Sequence, residues 1–333
     1  MSMQQPTLRV EGLKTHFATR AGVVKAVDDV SFSVERGRIM GLVGESGSGK
    51  SMTGYSLLGL IDPPGRVVAG RALLTLQDGR VIDLLGLSAR AMQEVRGNRV
   101  AMIFQDPMMT LNPVLRIDTQ MIEAVKAHHR VSERIARDRA AEALGKVGIA
   151  SPYERLLAYP HQFSGGMRQR VAIAIALLNE PDLIIADEPT TALDVTIQGQ
   201  ILSEMQTLCR RSGTALIWIT HDLSVVAGLA DTVSVMYAGR VVEQGDVADV
   251  IDRPQHPYSR GLIDSAPSRN PRGRPLRQIP GMAPSLATLP VGCAFQDRCR
   301  FADEACRVEP LLSQVGTRRL RCFHPVSSAP AKA

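Results

Sequence analysis

The sequence has no apolar run long enough to cross a membrane as a helix, which takes about 20 residues. Its longest candidate, residues 171–178, stops at the polar Asn179 and Glu180 and at Pro181. The amino terminus also lacks the apolar core and small-residue cleavage site of a secretory signal. These absences predict a cytoplasmic chain whose association with a membrane would depend on a partner.

The sequence also has little excess of either charge, since a net charge of +6 is spread over 333 residues. The scattered basic residues therefore give no reason to expect a nucleic-acid partner. Arginines concentrate in only two places, Arg269, Arg272, Arg274 and Arg277, and then Arg318, Arg319 and Arg321. We predict that both clusters are solvated loop charges, with anionic lipid head groups or nucleic acid as the alternative partners.

One glycine-rich stretch matches the phosphate-binding pattern of Gly, four residues and Gly-Lys-Ser. An apolar run at 39–43 precedes it as a predicted strand, and 52–60 can continue as a helix. Backbone N–H groups of such a loop, with the helix N-terminus, form an anion site. Lys50 would contact the β- and γ-phosphates and Ser51 would hold Mg²⁺. A chance glycine-rich turn is the weaker alternative. The predicted nucleotide-binding residues are Gly44, Glu45, Ser46, Gly47, Ser48, Gly49, Lys50, Ser51 and Met52.

Two acids follow another apolar strand, 183–186, in the arrangement called Walker B. Asp187 is predicted to hold Mg²⁺, and Glu188 to act as the general base that deprotonates the attacking water. Two exposed acids in a turn are the alternative, but the apolar run before them predicts a strand that is buried up to the acids.

Two further polar residues stand at predicted strand ends, where ligands bind in α/β sheets. Gln105 follows the strand at 100–104 and is a candidate for Mg²⁺ or for the attacking water. His221 follows the strand at 216–220 and is placed to donate a hydrogen bond to a γ-phosphate. Each alone is more often structural or solvated.

A second loop suited to anions lies between a helical stretch, 117–157, and the apolar helix at 171–178. It consists of Ser164, Gly165, Gly166 and Met167, immediately before that helix. Ser-Gly-Gly at a helix start presents backbone N–H groups together with the helix dipole. An ordinary helix start is the alternative.

The motifs resemble the ATPases of ABC transporters over about residues 7–250. The resemblance rests on their order along the chain: the glycine-rich loop, Gln105, the loop at Ser164, Asp187 with Glu188, Thr191-Ala192-Leu193-Asp194, and His221. The resemblance implies an α/β P-loop ABC ATPase with an antiparallel β subdomain, a helical subdomain at about 107–165 and a C-terminal cysteine-bearing extension. The nucleotide-binding domain would span 1–252 and the extension 253–333. It also implies a head-to-tail dimer, in which the loop from Ser164 to Met167 closes on the ATP of the other subunit, and Asp194, after Thr191-Ala192-Leu193, contributes to the nucleotide site.

Shorter motifs narrow the resemblance to the dipeptide and oligopeptide importers. These motifs are Gln105-Asp106-Pro107-Met108, Leu111-Asn112-Pro113, His256-Pro257-Tyr258 and Ala266-Pro267. The implied function is ATP hydrolysis that powers peptide import at the cytoplasmic face of the inner membrane. The implied partners are a second ATPase subunit, related rather than identical, two membrane permeases and an external substrate-binding protein.

Three alternatives remain: import of nickel or another small solute by the same machinery, an ABC ATPase that acts on nucleic acid, and a regulator that only binds ATP.

The chain also departs from the wider family at two points. Met167 replaces the usual glutamine, and Ala21 stands where an aromatic residue often stacks on adenine, with Phe17 as a possible substitute.

Five cysteines are present, and four crowd the C-terminal part: Cys293, Cys299, Cys306 and Cys322, with five, six and fifteen residues between them. A cytoplasmic chain is not expected to use them as disulfides. Four thiolates suit a [4Fe–4S] cluster or tetrahedral zinc. Zinc sites usually show closely spaced cysteine pairs, which this sequence lacks, and the peptide-importer resemblance also favours the cluster. Cys209 stands alone and is predicted to be a core residue.

Overall fold

The computed structural model describes residues 5–20, 22–106, 110–190, 193–271 and 273–326. Predictions that involve Ala21, Pro107, Met108, Thr191, Ala192 or Arg272 therefore lie outside the described residues. The chain forms two compact units. The first unit comprises 1–8, 34–39 and 73–218, and the second comprises 9–33, 40–72 and 219–333. This division differs from the predicted boundary at 252, which stays a prediction.

The strands in chain order are β1 (Leu8–Thr19), β2 (Gly22–Val34), β3 (Ile39–Val43), β4 (Gly65–Thr75), β5 (Val81–Asp83), β6 (Val100–Ile103), β7 (Leu183–Asp187), β8 (Ala215–Thr220), β9 (Thr232–Tyr237), β10 (Arg240–Asp246), β11 (Ser313–Val315) and β12 (Arg318–Leu320). The α-helices are α1 (Lys50–Leu57), α2 (Ala89–Val95), α3 (Ile117–Lys126), α4 (Glu133–Lys146), α5 (Pro152–Leu156), α6 (Gly165–Leu177), α7 (Val195–Ser212), α8 (Leu223–Leu229), α9 (Val247–Asp252) and α10 (Pro257–Asp264). Within the described residues, none of these helices has the length and apolarity needed to cross a membrane.

In the second unit, β3 pairs in parallel with β9, and β9, β10, β12 and β11 continue as antiparallel neighbours. All five residues of β3 are buried, as its continuous apolar sequence predicts for an interior parallel strand. In the same unit β1 lies between β2 and most of β4. The sequence predicts separate strands at 23–27 and 30–34, but β2 runs through both, with Asp29 in the left-handed region at φ 61°.

The core of the second unit contains an aromatic trio, Tyr237, Tyr258 and Phe295, whose rings lie 4.5–5.4 Å apart. Val43 at the end of β3 belongs to the same buried cluster. Tyr258 lies on α10 and Phe295 further along the C-terminal region, so this region shares a core with the strand that delivers the glycine-rich loop. Burial of such large rings is a dominant stabilising contribution.

In the first unit, β6 and β7 pair in parallel from Val100 and Leu183 to Ile103 and Ala186. Helix α4 packs against α3, α5 and α6. Its buried residues are Ala136, Ala140, Ala141, Ala143 and Leu144, which lie on one face of a helix with 3.6 residues per turn. Helices α3, α4 and α5 lie within the predicted helical subdomain.

Candidate nucleotide site

The glycine-rich loop joins β3 to α1 through backbone conformations that only glycine adopts without strain. Gly44 has φ 153° and Gly49 has φ 102°. A Cβ atom on Gly44 would lie 2.2 Å from the Met236 carbonyl oxygen, and one on Gly49 would lie 2.3 Å from that of Ala26. Both positions therefore require glycine for space as well as for φ.

Lys50 begins α1 and is almost fully buried, with 5% of its surface exposed. Its ammonium donates to the carbonyl oxygens of Gly44 at 2.8 Å and of Glu45 at 2.9 Å. The cation is thus held on the loop itself, where the sequence predicts contact with phosphates. Ser51 and Met52 follow in the first turn of the helix and are half-buried.

Every polar group of Glu45 is engaged. Its carboxylate accepts two hydrogen bonds from the Arg298 guanidinium, at 2.8 and 3.0 Å. Its backbone N–H donates to the Tyr258 hydroxyl at 2.8 Å, while its carbonyl accepts from Lys50. Tyr237 completes this Glu45 network (Glu45, Tyr237, Tyr258 and Arg298), since its hydroxyl accepts from Arg298 at 3.3 Å. The sequence predicted Glu45 as a site residue and singled out Tyr258 only as part of the His256-Pro257-Tyr258 motif, while Arg298 and Tyr237 were not singled out.

The β9–β10 turn holds the loop from another direction. Ala238 and Gly239 have φ values of 47° and 81°, as in a type I′ hairpin turn. The Gly239 N–H donates to the Ser48 carbonyl at 2.9 Å, and the Asp28 N–H donates to the Gly239 carbonyl at 2.8 Å. The turn therefore links the loop to β2.

An open cleft lies beside the loop in the second unit. Its wall includes 45–48 of the loop, Tyr237 and Ala238, Val24 of β2, and the segment 283–287 of the C-terminal region. His221 also belongs to this unit; it is exposed, follows β8 directly, and precedes Asp222, the N-cap of α8.

The first unit brings together two of the predicted catalytic residues. The Gln105 side-chain N–H donates to the Glu188 carboxylate at 3.5 Å. Asp187 ends β7 and is 2% exposed. Glu188 has φ 46°, a left-handed conformation that costs a non-glycine residue about 1–3 kcal/mol. Such strain persists where the surrounding structure fixes the residue, as expected for a positioned catalytic group.

The Ser-Gly-Gly loop forms the start of α6. Ser164 is the N-cap residue, and its hydroxyl accepts from the Met167 N–H at 3.3 Å. Asp194 has the same local role on α7, where its carboxylate accepts from the Ile197 N–H at 3.0 Å. Both side chains thus stabilise a helix start, and a nucleotide role for each stays a prediction.

The four C-terminal cysteines lie in one region of the second unit. The Cys293 N–H donates to the Cys306 carbonyl at 2.8 Å. Burial, together with the nearby thiols of Cys293, Cys299 and Cys306, raises the pKa of Cys322 to about 12. The sequence did not single out His324 or Asp303, which lie 2.8 Å apart. With Cys306 they place three possible metal-ligand atoms within 4.8 Å of one another.

The prediction of solvated charge is wrong for two arginines of the second cluster. Arg318 is buried and pairs with the fully buried Glu243 at 3.2 Å. Arg321 is also buried, pairs with Asp29 at 2.9 Å and donates to the Val241 carbonyl. These charges are buried because their partner carboxylates, distant in sequence, neutralise them.

Comparison with known proteins gives two family matches. Residues 27–191 match the family described as ABC transporter, and residues 242–306 match the oligopeptide/dipeptide transporter C-terminal region. The oligopeptide transport ATP-binding protein OppD of Escherichia coli (strain K12) is 47% identical over 320 residues, covering 96% of this chain and 93% of that protein. The dipeptide transport ATP-binding protein DppD of Haemophilus influenzae is 45% identical over 321 residues, covering 96% of both.

A solved structure shows the same fold. The dimeric bacterial ABC transporter cassette MJ0796 aligns with a TM-score of 0.63 and 25% identity, covering 72% of this chain and 98% of that one.

Proposed function

Because the chain belongs to the ATP-binding subunits of ABC transporters, in the group that imports peptides, we propose roles for its residues in one cycle of ATP hydrolysis. The chain is an ATPase that uses ATP and Mg²⁺ and powers peptide import. The observation that carries this function is the paired match: the ABC family model and the peptide-transporter C-terminal model fit consecutive parts of one chain.

The loop and Lys50 bind the triphosphate, and Ser51 and Asp187 hold Mg²⁺, with Gln105 as a further ligand or as the residue that orients water. Glu188 accepts a proton from that water. The water oxygen forms a bond to the γ-phosphorus, the bond to the bridging oxygen breaks, and its electron pair leaves on ADP. His221 donates to the γ-phosphate. The contact between Gln105 and Glu188 supports this assignment, because a general base needs a neighbour that fixes its direction.

In the proposed dimer, the second loop of one subunit contributes to the nucleotide site of the other. We propose that Ser164, Gly165, Gly166 and Met167 cover the γ-phosphate bound by the other subunit, and that Asp194 contributes to the nucleotide site. The position of Ser164 as the N-cap of the 13-residue helix α6 supports this, since a helix N-terminus favours anions.

The transporter needs membrane partners, because no described helix of this chain crosses a bilayer. We propose two permease subunits, a related second ATPase and an external substrate-binding protein, with this chain at the cytoplasmic face of the inner membrane. We also propose the boundary at 252, which lies after the end of the ABC family match at 191 and close to position 242, where the C-terminal match begins.

Substituting Glu188→Gln tests the catalytic role. Turnover should fall by about 10²–10⁴-fold while ATP binding persists, because proton transfer is lost and the phosphate contacts remain. E94Q, at an exposed glutamate of α2, is the control and should hydrolyse ATP normally. Unchanged turnover in E188Q would refute Glu188 as the base.

Reconstitution tests the transported substrate. With the permeases in the vesicle membrane, the second ATPase subunit inside and the binding protein outside, di- or oligopeptides should accumulate only when ATP and this chain are also inside. Uptake of nickel in place of peptide would contradict the assignment.

We further propose that Cys293, Cys299, Cys306 and Cys322 hold a [4Fe–4S] cluster. A tetrahedral zinc ion with Zn–S bonds of about 2.3 Å needs sulfurs about 3.8 Å apart. In the described part of the chain, the one group of three or more ligand atoms within 4.8 Å is Asp303, Cys306 and His324, so no three of the thiols meet that closely. The four thiols lie near one another but farther apart than the ligands of one zinc ion, which supports a [4Fe–4S] cluster over zinc.

Metal analysis of anaerobically purified protein tests the cluster. We expect brown protein that contains iron and acid-labile sulfide, and C322S should lose both. C209S is the control, since Cys209 is buried alone in α7 and should leave the iron content unchanged. Stoichiometric zinc in colourless protein would contradict the proposal.

A further inference from the structure

We infer that Arg298 in the C-terminal region is a positioning residue for ATP binding, because it neutralises Glu45 and fixes the conformation of the phosphate-binding loop. Arg298 lies 253 positions after Glu45 and is C-terminal to every predicted nucleotide motif. Two features of the Glu45 network carry the inference, one geometric and one electrostatic.

The geometric feature is that Glu45 connects Arg298 to Lys50. The carboxylate is held by Arg298, the N–H by Tyr258, and the carbonyl accepts from the Lys50 ammonium at 2.9 Å. Since one residue carries all three contacts, its backbone has little freedom to rotate. Loss of the Arg298 contact frees the carboxylate, and with it the peptide on which the Lys50 ammonium rests.

The electrostatic feature is that Glu45 places a carboxylate within a loop that binds a triphosphate. An uncompensated negative charge there opposes anion binding. The Arg298 guanidinium forms a two-bond pair with that carboxylate, the geometry in which arginine pairs most strongly. Arg298 thus removes a repulsion that the loop sequence alone would impose.

Arg298 is itself held in place, unlike a surface arginine. Only 7% of its side chain is exposed. Its Nε–H donates to the Pro280 carbonyl at 2.9 Å, and its guanidinium lies 5.8 Å from the ring centres of Tyr237 and Phe295. Because these contacts fix the guanidinium before ATP arrives, the pair with Glu45 costs little side-chain entropy, in contrast to exposed pairs.

Binding of Mg·ATP to variants made in the E188Q background, where turnover does not interfere, tests the inference. R298A should raise the Kd at least about tenfold, because it leaves Glu45 unpaired beside the phosphates. In an E45Q background the same R298A change should raise the Kd by no more than about twofold, because no carboxylate is left to neutralise.

R321A is the matched control. Arg321 is a second buried arginine of the C-terminal region that pairs with an acid distant in sequence, Asp29, and its hydrogen bonds within the described residues go to partners outside the loop. R321A should lower the melting temperature as R298A does and leave the Kd of the folded protein unchanged. If R298A does not fold, R298K replaces it and should raise the Kd about threefold, since it keeps the charge and loses the paired geometry.

Two results would overturn the inference. One is an equal rise in Kd for R298A and R321A, which would make the effect a general loss of structure. The other is a full R298A effect in the E45Q background, which would separate Arg298 from Glu45.

Discussion

At the scale of the single residue, His256 makes stability depend on pH. It is 1% exposed, its Nδ1 accepts from the Tyr258 N–H, and its ring lies 5.9 Å from that of Phe295. Burial lowers the pKa of His256 to about 3 from an ordinary value of 6.5. Between these two pKa values the unfolded chain binds a proton that the native protein does not, so the free energy of unfolding falls as pH falls below 6.5.

His256 should make the free energy of unfolding fall by up to about 1.4 kcal/mol per pH unit. Denaturant unfolding at several pH values between 7 and 5 measures this slope. H256N keeps an acceptor suited to the N-cap of α10 and should remove this part of the slope. H161N, at an exposed histidine, should leave the slope unchanged. Equal slopes in wild type and H256N would contradict the assignment.

The positions of candidate site residues in the fold were predictable where local sequence determines them. The loop from Gly44 to Ser51 has a fixed spacing, and Glu188 follows an apolar strand, so each is visible in a short window. Arg298 was not predictable, because its partner Glu45 is 253 positions away. Arg318 and Arg321 were wrongly expected to be solvated for the same reason: a short window shows the charge but not the distant acid that allows its burial.

At the scale of the element, the β9–β10 turn is tested by Gly239→Ala. Gly239 has φ 81°, and a Cβ there would lie 2.8 Å from the Lys25 carbonyl oxygen. We expect a loss of about 2–3 kcal/mol of stability from strain and steric clash together. The turn should also move away from Ser48 of the loop, so the Kd for ATP should rise.

G316A is the control for that substitution. Gly316 occupies the turn between β11 and β12 with φ 62°, and nothing lies within 4 Å of a Cβ there. It therefore suffers conformational strain of about 1 kcal/mol without a clash. Thermal or urea unfolding should rank G239A below G316A, and the opposite order would show that the contact with Lys25 is unimportant.

The sequence predicted whether a segment forms a strand or a hairpin better than it predicted where each strand begins and ends. The apolar run of β3 gave its bounds correctly, and the Ala238-Gly239 pair between residues 233–237 and 240–244 predicts the hairpin that β9 and β10 form. Short runs at 8–10, 23–27 and 30–34 predict three short strands, but this part of the chain forms the two long strands β1 and β2, and β2 continues through Asp29 in a left-handed conformation. Tertiary contacts decide whether a residue such as Asp29 takes a left-handed conformation, and strand propensity does not include them.

At the scale of the whole molecule, the chain carries two loops suited to phosphate, and they belong to different units. The loop from Gly44 to Ser51 lies in the second unit, and Ser164, the N-cap of α6, lies in the first. In the proposed head-to-tail dimer the two loops of one chain serve different nucleotides. The isolated chain should therefore bind ATP and hydrolyse it slowly.

Adding the second ATPase subunit should raise the rate of ATP hydrolysis per molecule of this chain. In dilute solution that rate should rise with the concentration of the two subunits, because they must associate. K50A should remove ATP binding by this chain, because the ammonium that we propose contacts the phosphates is lost. S164A should instead lower turnover of the assembled pair at the nucleotide of the other subunit, because an N-cap acceptor of α6 is lost at a cost of about 1 kcal/mol to that helix. Titration of the two subunits with each variant distinguishes these effects, and fast hydrolysis by the isolated chain, independent of concentration, would rule out the shared site.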